Sequence, residues 1–290
     1  MINTNFSCTI TYEQEKMKSI LDLENTAVKI RKKLLKIIHH ACGGHTGGAL
    51  SSVDILVTLY FHTMKYKSED PSWPDRDRFI LSKGHSVEGF YCVLAEAGYF
   101  PKDILDTYGD FQSILAGHPT RKVPGVEINS GSLGHGLSVA TGMALAGKMD
   151  KRKSKIFVLM GDGEQGEGSI MEAANSAGHY NLDNLVAIID RNFLQISGAT
   201  EEVMTLENLK DRWVAYNWHV EEVNGNDIRS LMKLLDSLPV ETGKPHLVIA
   251  HTIKGKGVSF MENKREWHHK VPTNEQLNLA LEELDRSMKS

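Results

Sequence analysis

The chain has few cysteines, and none are spaced to share a task. Cys8, Cys42 and Cys92 are an odd number, and no Cys-x-x-Cys pair occurs. A disulfide framework is thereby disfavoured and a reducing compartment favoured. No stretch approaches the roughly 18 apolar residues of a membrane-spanning helix. Met1 to Ile20 lacks the apolar core of a signal peptide. A cytoplasmic protein with no membrane partner is expected. There is no basic excess either: 33 Lys and Arg stand against 37 Asp and Glu, a formal net charge of −4. That removes the electrostatic footprint of a nucleic-acid binder. A polyanionic ligand would have to be held by local devices, such as helix N-termini or a metal ion. Internal repeats and low-complexity linkers are missing. No Gly-x-Gly-x-x-Gly follows the first candidate strand, which argues against a plain dinucleotide-binding fold.

What is present suits a large α/β domain. At 290 residues and 41% hydrophobic content the chain can bury a sizeable core. Residues 1–20 read as a polar lead-in and 21–290 as one domain. Apolar residues at Leu23, Ala27, Ile30, Leu34, Ile37 and Ala41 fall in steps of three and four, the mark of an amphipathic helix. Gly43-Gly44-His45-Thr46-Gly47-Gly48 should break it. Ser51-Ser52-Val53-Asp54 predicts a serine-capped helix start, running to about Met64. Short apolar runs follow at Phe79–Leu81, Ile156–Met160, Leu185–Ile189 and Leu247–Ala250, as in strands buried on both faces. Helical stretches lie among them at Val87–Ala97, Leu133–Met149, Ser169–His179, Leu206–Tyr216 and Ile228–Leu238. A last helix is expected over Thr273–Ser290. The alternation predicts a parallel sheet flanked by helices on both faces.

The most informative stretch is Gly161-Asp162-Gly163, directly after a candidate strand. The next candidate strand ends at Asp190-Arg191-Asn192. An acid and an amide about 30 positions apart thus sit at the same carboxyl edge, where open parallel sheets bind ligands. Mg²⁺ takes oxygen ligands, usually one or two carboxylates with phosphates and water. Asp162, Asn192 and the Leu194 carbonyl offer three oxygens. The glycines beside Asp162 let the backbone approach a phosphate, and a helix starting near Gly168 favours an anion. Gly-Asp-Gly alone is a common turn; the pairing and the strand context make it specific.

That pattern resembles the thiamine-diphosphate enzymes. Within them, Gly44-His45-Thr46-Gly47-Gly48, Asp75-Arg76-Asp77-Arg78-Phe79-Ile80-Leu81-Ser82-Lys83-Gly84-His85, Gly117-His118-Pro119 and Gly131-Ser132-Leu133-Gly134-His135-Gly136 resemble the transketolase family, in order and over roughly residues 20–275. The resemblance implies the N-terminal, pyrophosphate-binding half of a split two-chain transketolase. It would transfer a two-carbon ketol unit between sugar phosphates through a thiamine-diphosphate carbanion. The implied metal site is Asp162, Asn192 and Leu194, holding Mg²⁺ or Ca²⁺ or Mn²⁺ in its place. The implied cofactor contacts are His85, Gly131, Ser132, Leu133, Gly163, Glu167, Asn192 and His268. His45, His118 and His268 would act on substrate hydroxyls, because histidine can exchange protons near neutral pH. In Trp267-His268-His269-Lys270, His269 stands where the family has glycine, so either histidine can be the active-site one. The partner implied is a second chain carrying the pyrimidine-binding domain and its essential glutamate, in a heterotetramer with two copies of each chain. The main rival is the α chain of a 2-oxoacid decarboxylase or dehydrogenase, which lacks the Arg-Asp-Arg-Phe and Gly-Ser-Leu-Gly-His segments. A non-catalytic scaffold subunit would have no reason to keep Asp162 and Asn192.

Overall fold

The computed structural model describes residues 19–289. The lead-in through residue 18, Cys8 included, lies outside them, as does Ser290. The elements run α1 (Ile20–His40), α2 (Thr46–Ser51), α3 (Val53–Thr58), β1 (Arg78–Leu81), α4 (Val87–Glu96), α5 (His135–Met149), β2 (Ile156–Gly161), α6 (Gly168–His179) and β3 (Leu185–Arg191). They continue with α7 (Thr200–Val203), α8 (Leu209–Ala215), β4 (His219–Asn224), α9 (Ile228–Asp236), β5 (His246–His251) and α10 (Asn274–Ser287). Capping boxes start α1 and α10: Ser19 with Asp22, and Thr273 with Gln276.

The strands form one all-parallel sheet in the order β1-β2-β3-β5-β4. Alternate side chains feed two cores. Phe157, Leu159, Ile188 and Val248 pack with Leu34 of α1, Leu56 of α3, Phe90 of α4 and Leu231 of α9. Ile156, Val158, Ala187 and Ile249 face the other way, onto Ala140 and Ala144 of α5, Ala173, Ala174 and Ala177 of α6, and Trp213 of α8. The expected α/β class, with helices on both faces, is what the chain adopts. Gly161 is paired with Asp190, and Arg191 with His251. The segments after β1, β2, β3 and β5 therefore leave one common edge. No helix among the described residues is long and apolar enough to cross a membrane.

Three local expectations differ from the fold. The glycine segment does follow the end of α1, which stops at His40, but a new helix starts inside it: α2 begins at Thr46 and contains Gly47 and Gly48. α3 does start after Ser52, but the Ser52 side chain does not cap it; its hydroxyl donates back to the carbonyls of Gly48 and Ala49. The helix expected from Leu206 begins at Leu209. One strand was not anticipated. β4 lies at the sheet edge, paired only with β5, and of its residues only Val220 is buried.

Candidate active site

Asp162 and Asn192 leave the neighbouring strands β2 and β3 side by side and are nearly buried, 3% and 6% exposed. Asp162 Oδ1 accepts the Gly163 N–H at 2.8 Å. Its Oδ2 accepts the Phe193 N–H at 2.7 Å, the Thr200 hydroxyl at 3.2 Å and Arg191 Nη1 at 3.4 Å. One carboxylate thus ties two strand-end loops together. Burial pushes its pKa up, and the Asp190 charge adds to that. Asn192 Oδ1 accepts the Leu194 N–H at 3.2 Å. Asp162, Asn192 and Leu194 line one cavity of about 440 Å³. No cluster of three or more His, Cys, Asp or Glu suited to a metal occurs among the described residues. The three oxygens here are instead a carboxylate, an amide and a main-chain carbonyl. That set fits a hard cation whose remaining ligands are phosphate and water.

The cavity wall carries cations. Lys83, just after β1, pairs with Asp190; they are 2% and 0% exposed. Lys83 Nζ also donates to the Gly48 carbonyl at 3.0 Å. Asp190 accepts further bonds from the Ser51 hydroxyl, at 2.6 Å, and from Thr252. Burial alone would raise the Asp190 carboxyl. The Lys83 charge and the bonds from Lys83, Ser51 and Thr252 hold it below the usual range. Lys254 Nζ lies 3.5 Å from the Leu194 carbonyl, and burial next to Lys83 pushes its pKa down to about 8. Glu164, 2% exposed, clamps three segments: its carboxylate accepts from Ser82, from the Gly134 N–H at 2.7 Å and from the Gly161 N–H at 3.0 Å. The Gly134 bond helps set Gly131–Leu133 against the strand ends.

Histidines crowd the mouth. The His45 ring centroid lies 5.2 Å from His85, 5.6 Å from His268, 6.1 Å from His118 and 4.6 Å from His269. Burial, helped by nearby histidines and lysines, pushes His45 down to about 4, His85 to about 2 and His268 to about 3. These rings are neutral at neutral pH and offer one donor and one acceptor nitrogen each. His268 lines the cavity, with Nδ1 3.2 Å from Lys254 Nζ. His269 is exposed at the rim, and its φ of −134° is open to any residue, so replacing glycine there costs no backbone strain. Gly131, at φ +142°, has no room for a side chain: a Cβ would come 2.8 Å from His118 Cδ2.

Of the residues expected from sequence, His45, His85, Gly131, Leu133, Asp162, Gly163, Glu167, Asn192, Leu194 and His268 all line the one cavity. His118 stands outside it, exposed at the rim beside His45. Ser132 departs from expectation: it is exposed and does not line the cavity, because the chain turns there between the inward Gly131 and Leu133. Lys83, Glu164, Gln195, Ile196 and Lys254 also line it and were not anticipated. Lys83 lies inside a segment read from sequence, so its position was in view though its role was not.

Fold and site together define a class: a parallel α/β protein whose sheet's carboxyl edge gathers a carboxylate, an amide and buried lysines around one cavity, with histidines at its mouth. A family profile described as "Transketolase, thiamine diphosphate binding domain" matches residues 23–284. The chain is 54% identical, over 90% of its length and 93% of the relative's, to one of the subunits of the apulose-4-phosphate transketolase of Phocaeicola vulgatus. It is 42% identical, over 92% and 97%, to the SqwG subunit of the 6-deoxy-6-sulfo-D-fructose transketolase of Clostridium sp. (strain MSTE9). Its fold matches the crystal structure of transketolase from Campylobacter jejuni with a TM-score of 0.88 at 32% identity, covering 93% of this chain and 43% of that one. The chain belongs to the transketolase family, as the thiamine-diphosphate-binding half of a split transketolase. Its function is of transketolase type, a transferase of ketol groups, and neither the 2-oxoacid dehydrogenase α-chain reading nor the scaffold reading is favoured.

Proposed function

We propose that this chain binds thiamine diphosphate through Mg²⁺ and, with a partner chain carrying the pyrimidine-binding domain, moves a two-carbon ketol unit from a ketose phosphate to an aldose. The observation that carries this is the meeting of Asp162, Asn192 and Leu194 with His45, His85 and His268 around one cavity. Asp162, Asn192 and the Leu194 carbonyl would hold the cation, with Ca²⁺ or Mn²⁺ able to replace Mg²⁺. His85, Lys83, Lys254 and the Gly163 main chain would take the diphosphate. Bound thiamine diphosphate supplies the carbanion stabilisation that carbon–carbon cleavage needs. The protein's part is to orient the sugar and move protons on its hydroxyls. His45 and His268, as neutral donor–acceptor rings, would do so, joined by His118 from the rim.

Gly131, Leu133 and the Ser132 main chain would support the cofactor rings, and exposed Glu167 would face the partner. The apolar side chains of Phe193, Ile196 and Met204 stand 44%, 68% and 61% exposed near the mouth, which supports a covering partner. We read residues 21–290 as one pyrophosphate domain, the assembly as two copies of each chain, and the location as cytoplasmic. The relatives' names concern apulose 4-phosphate and 6-deoxy-6-sulfo-D-fructose; for this chain we infer a ketose bearing a terminal anion. The test is ketol transfer by the chain mixed with its partner, thiamine diphosphate and Mg²⁺. Equal turnover by this chain alone refutes the partner, and turnover unaffected by chelation refutes the metal.

A further inference from the structure

Beneath the histidine mouth lies a carboxyl group that the foregoing chemistry does not use. Glu88, in the first turn of α4, is 0% exposed. Its Oε1 accepts the backbone N–H of His45 at 3.0 Å and the Tyr108 hydroxyl at 2.9 Å. Its Oε2 is buried without a partner. Gly44 fits against it only because it has no side chain: a Cβ there would come 2.5 Å from Oε1. Three residues along the same face of α4, the Tyr91 hydroxyl donates to the His118 carbonyl at 3.0 Å. One helix face therefore grips the main chain at both histidines, and Tyr108 links Glu88 to the segment that leads into His118.

A buried carboxyl with a bare oxygen is costly, and an apolar side chain would fill this space at less cost to folding. Burial also lifts the Glu88 pKa, to about 7. In either protonation state Oε1 remains an acceptor for the His45 N–H. We propose that Glu88 is a positioning residue for ketol transfer: it holds His45 and, with Tyr108 and Tyr91, fixes the spacing from His45 to His118 so that both rings meet the same sugar. This rests on the reading that those two histidines contact the sugar. It assigns Glu88 no contact with substrate or cofactor.

The test uses the reconstituted two-chain enzyme and the variants Glu88→Met, Glu88→Gln, Tyr108→Phe and His45→Ala. Methionine keeps the length but accepts no hydrogen bond; glutamine keeps an acceptor oxygen. We expect Glu88→Met to lower kcat/KM for the donor sugar about tenfold, the worth of one well-placed hydrogen bond. Thiamine-diphosphate affinity, measured by calorimetry, should stay within about twofold. Glu88→Gln should restore kcat/KM to within about twofold of the parent, and Tyr108→Phe should fall between the two variants. Full activity in Glu88→Met overturns the proposal. So does a loss of cofactor affinity in step with donor kcat/KM, which a merely loosened fold would give. If Glu88→Met does not fold, Tyr108→Phe decides: activity equal to the parent overturns the brace. An unimpaired His45→Ala instead refutes the sugar-contact reading and leaves no role for the brace to serve.

Discussion

Replacing Lys83 by methionine should destabilise the fold well beyond the loss of one surface charge. Asp190 is fully buried, and Lys83 is its one cationic partner in hydrogen-bond contact among the described residues. Removing one member of a buried ion pair costs about 3–5 kcal/mol, because the other charge is left in a poor solvent. The Ser51 and Thr252 hydroxyls still reach Asp190. They place the expected cost at the lower end, about 3 kcal/mol, which lowers Tm by about 5–9 °C in a domain of this size. Urea unfolding of the chain would read this as a lower midpoint at unchanged slope. The double variant Lys83→Met/Asp190→Leu should recover at least half of the loss, since no bare charge remains. A pH series adds an independent check. The folded-state pKa of Asp190 lies below its unfolded value near 3.9, so its stabilisation is present above about pH 4 and is lost as pH falls through the folded value. The acid limb of the parent should carry this contribution and that of the double variant should not. A single variant costing under about 1 kcal/mol, or a double variant as costly as the sum of its parts, would refute the argument.

Three further outcomes follow from the geometry. Asp162→Ala should weaken Mg²⁺-dependent thiamine-diphosphate binding by at least about 100-fold by calorimetry, since it removes the one carboxylate of the cation set; unchanged affinity would contradict the site. Gly178→Ala should destabilise by more than about 2 kcal/mol in urea despite alanine's better helix propensity, because its Cβ would come 1.8 Å from the Tyr216 carbonyl oxygen and force α6 off the turn before β4. Stability of the chain should fall as pH drops from about 6.5 toward 4: the folded pKa values of His45, His85 and His268 lie below their unfolded value, so each contributes stability above about 6.5 that is lost on acidification. His246, lowered to about 4, adds to the histidines' loss, while Glu88, raised to about 7, and the raised carboxyls of Asp77, Asp162 and Glu164 act in the opposite sense; the net fall expected is that of the four histidines less these. A flat profile between pH 7 and pH 4 would show that the rings are not held neutral.

What could be read from sequence, and what could not, divides along physical lines. β1, β2, β3 and β5 each carry a continuous apolar run, because all but the outermost have neighbours on both sides and helices on both faces. β1 and β4 both pair on one side only, but β4 differs in composition: its Glu221 and Glu222 displace any such run, and Val220 alone is buried, so no apolar signal was there to find. The meeting of Asp162 and Asn192 was legible because both sit at the ends of two strands adjacent in sequence and in the sheet. The Lys83–Asp190 pair was not: 107 positions separate its members, and no local pattern couples them. The segment Gly43–Gly48 does follow the end of α1, but the helix that restarts at Thr46 was hidden for the same reason. Glycine lowers helix propensity, so Gly47 and Gly48 read as a break. In the fold, a Cβ on Gly47 would lie 2.9 Å from the Trp267 carbonyl oxygen, and the Gly47 carbonyl accepts the Gly255 N–H at 3.0 Å. The close approach that brings Lys254 and His268 to the cavity therefore requires the very residues that weaken the local helix. Tertiary contact, not propensity, holds α2 in place, and the site depends on that exchange.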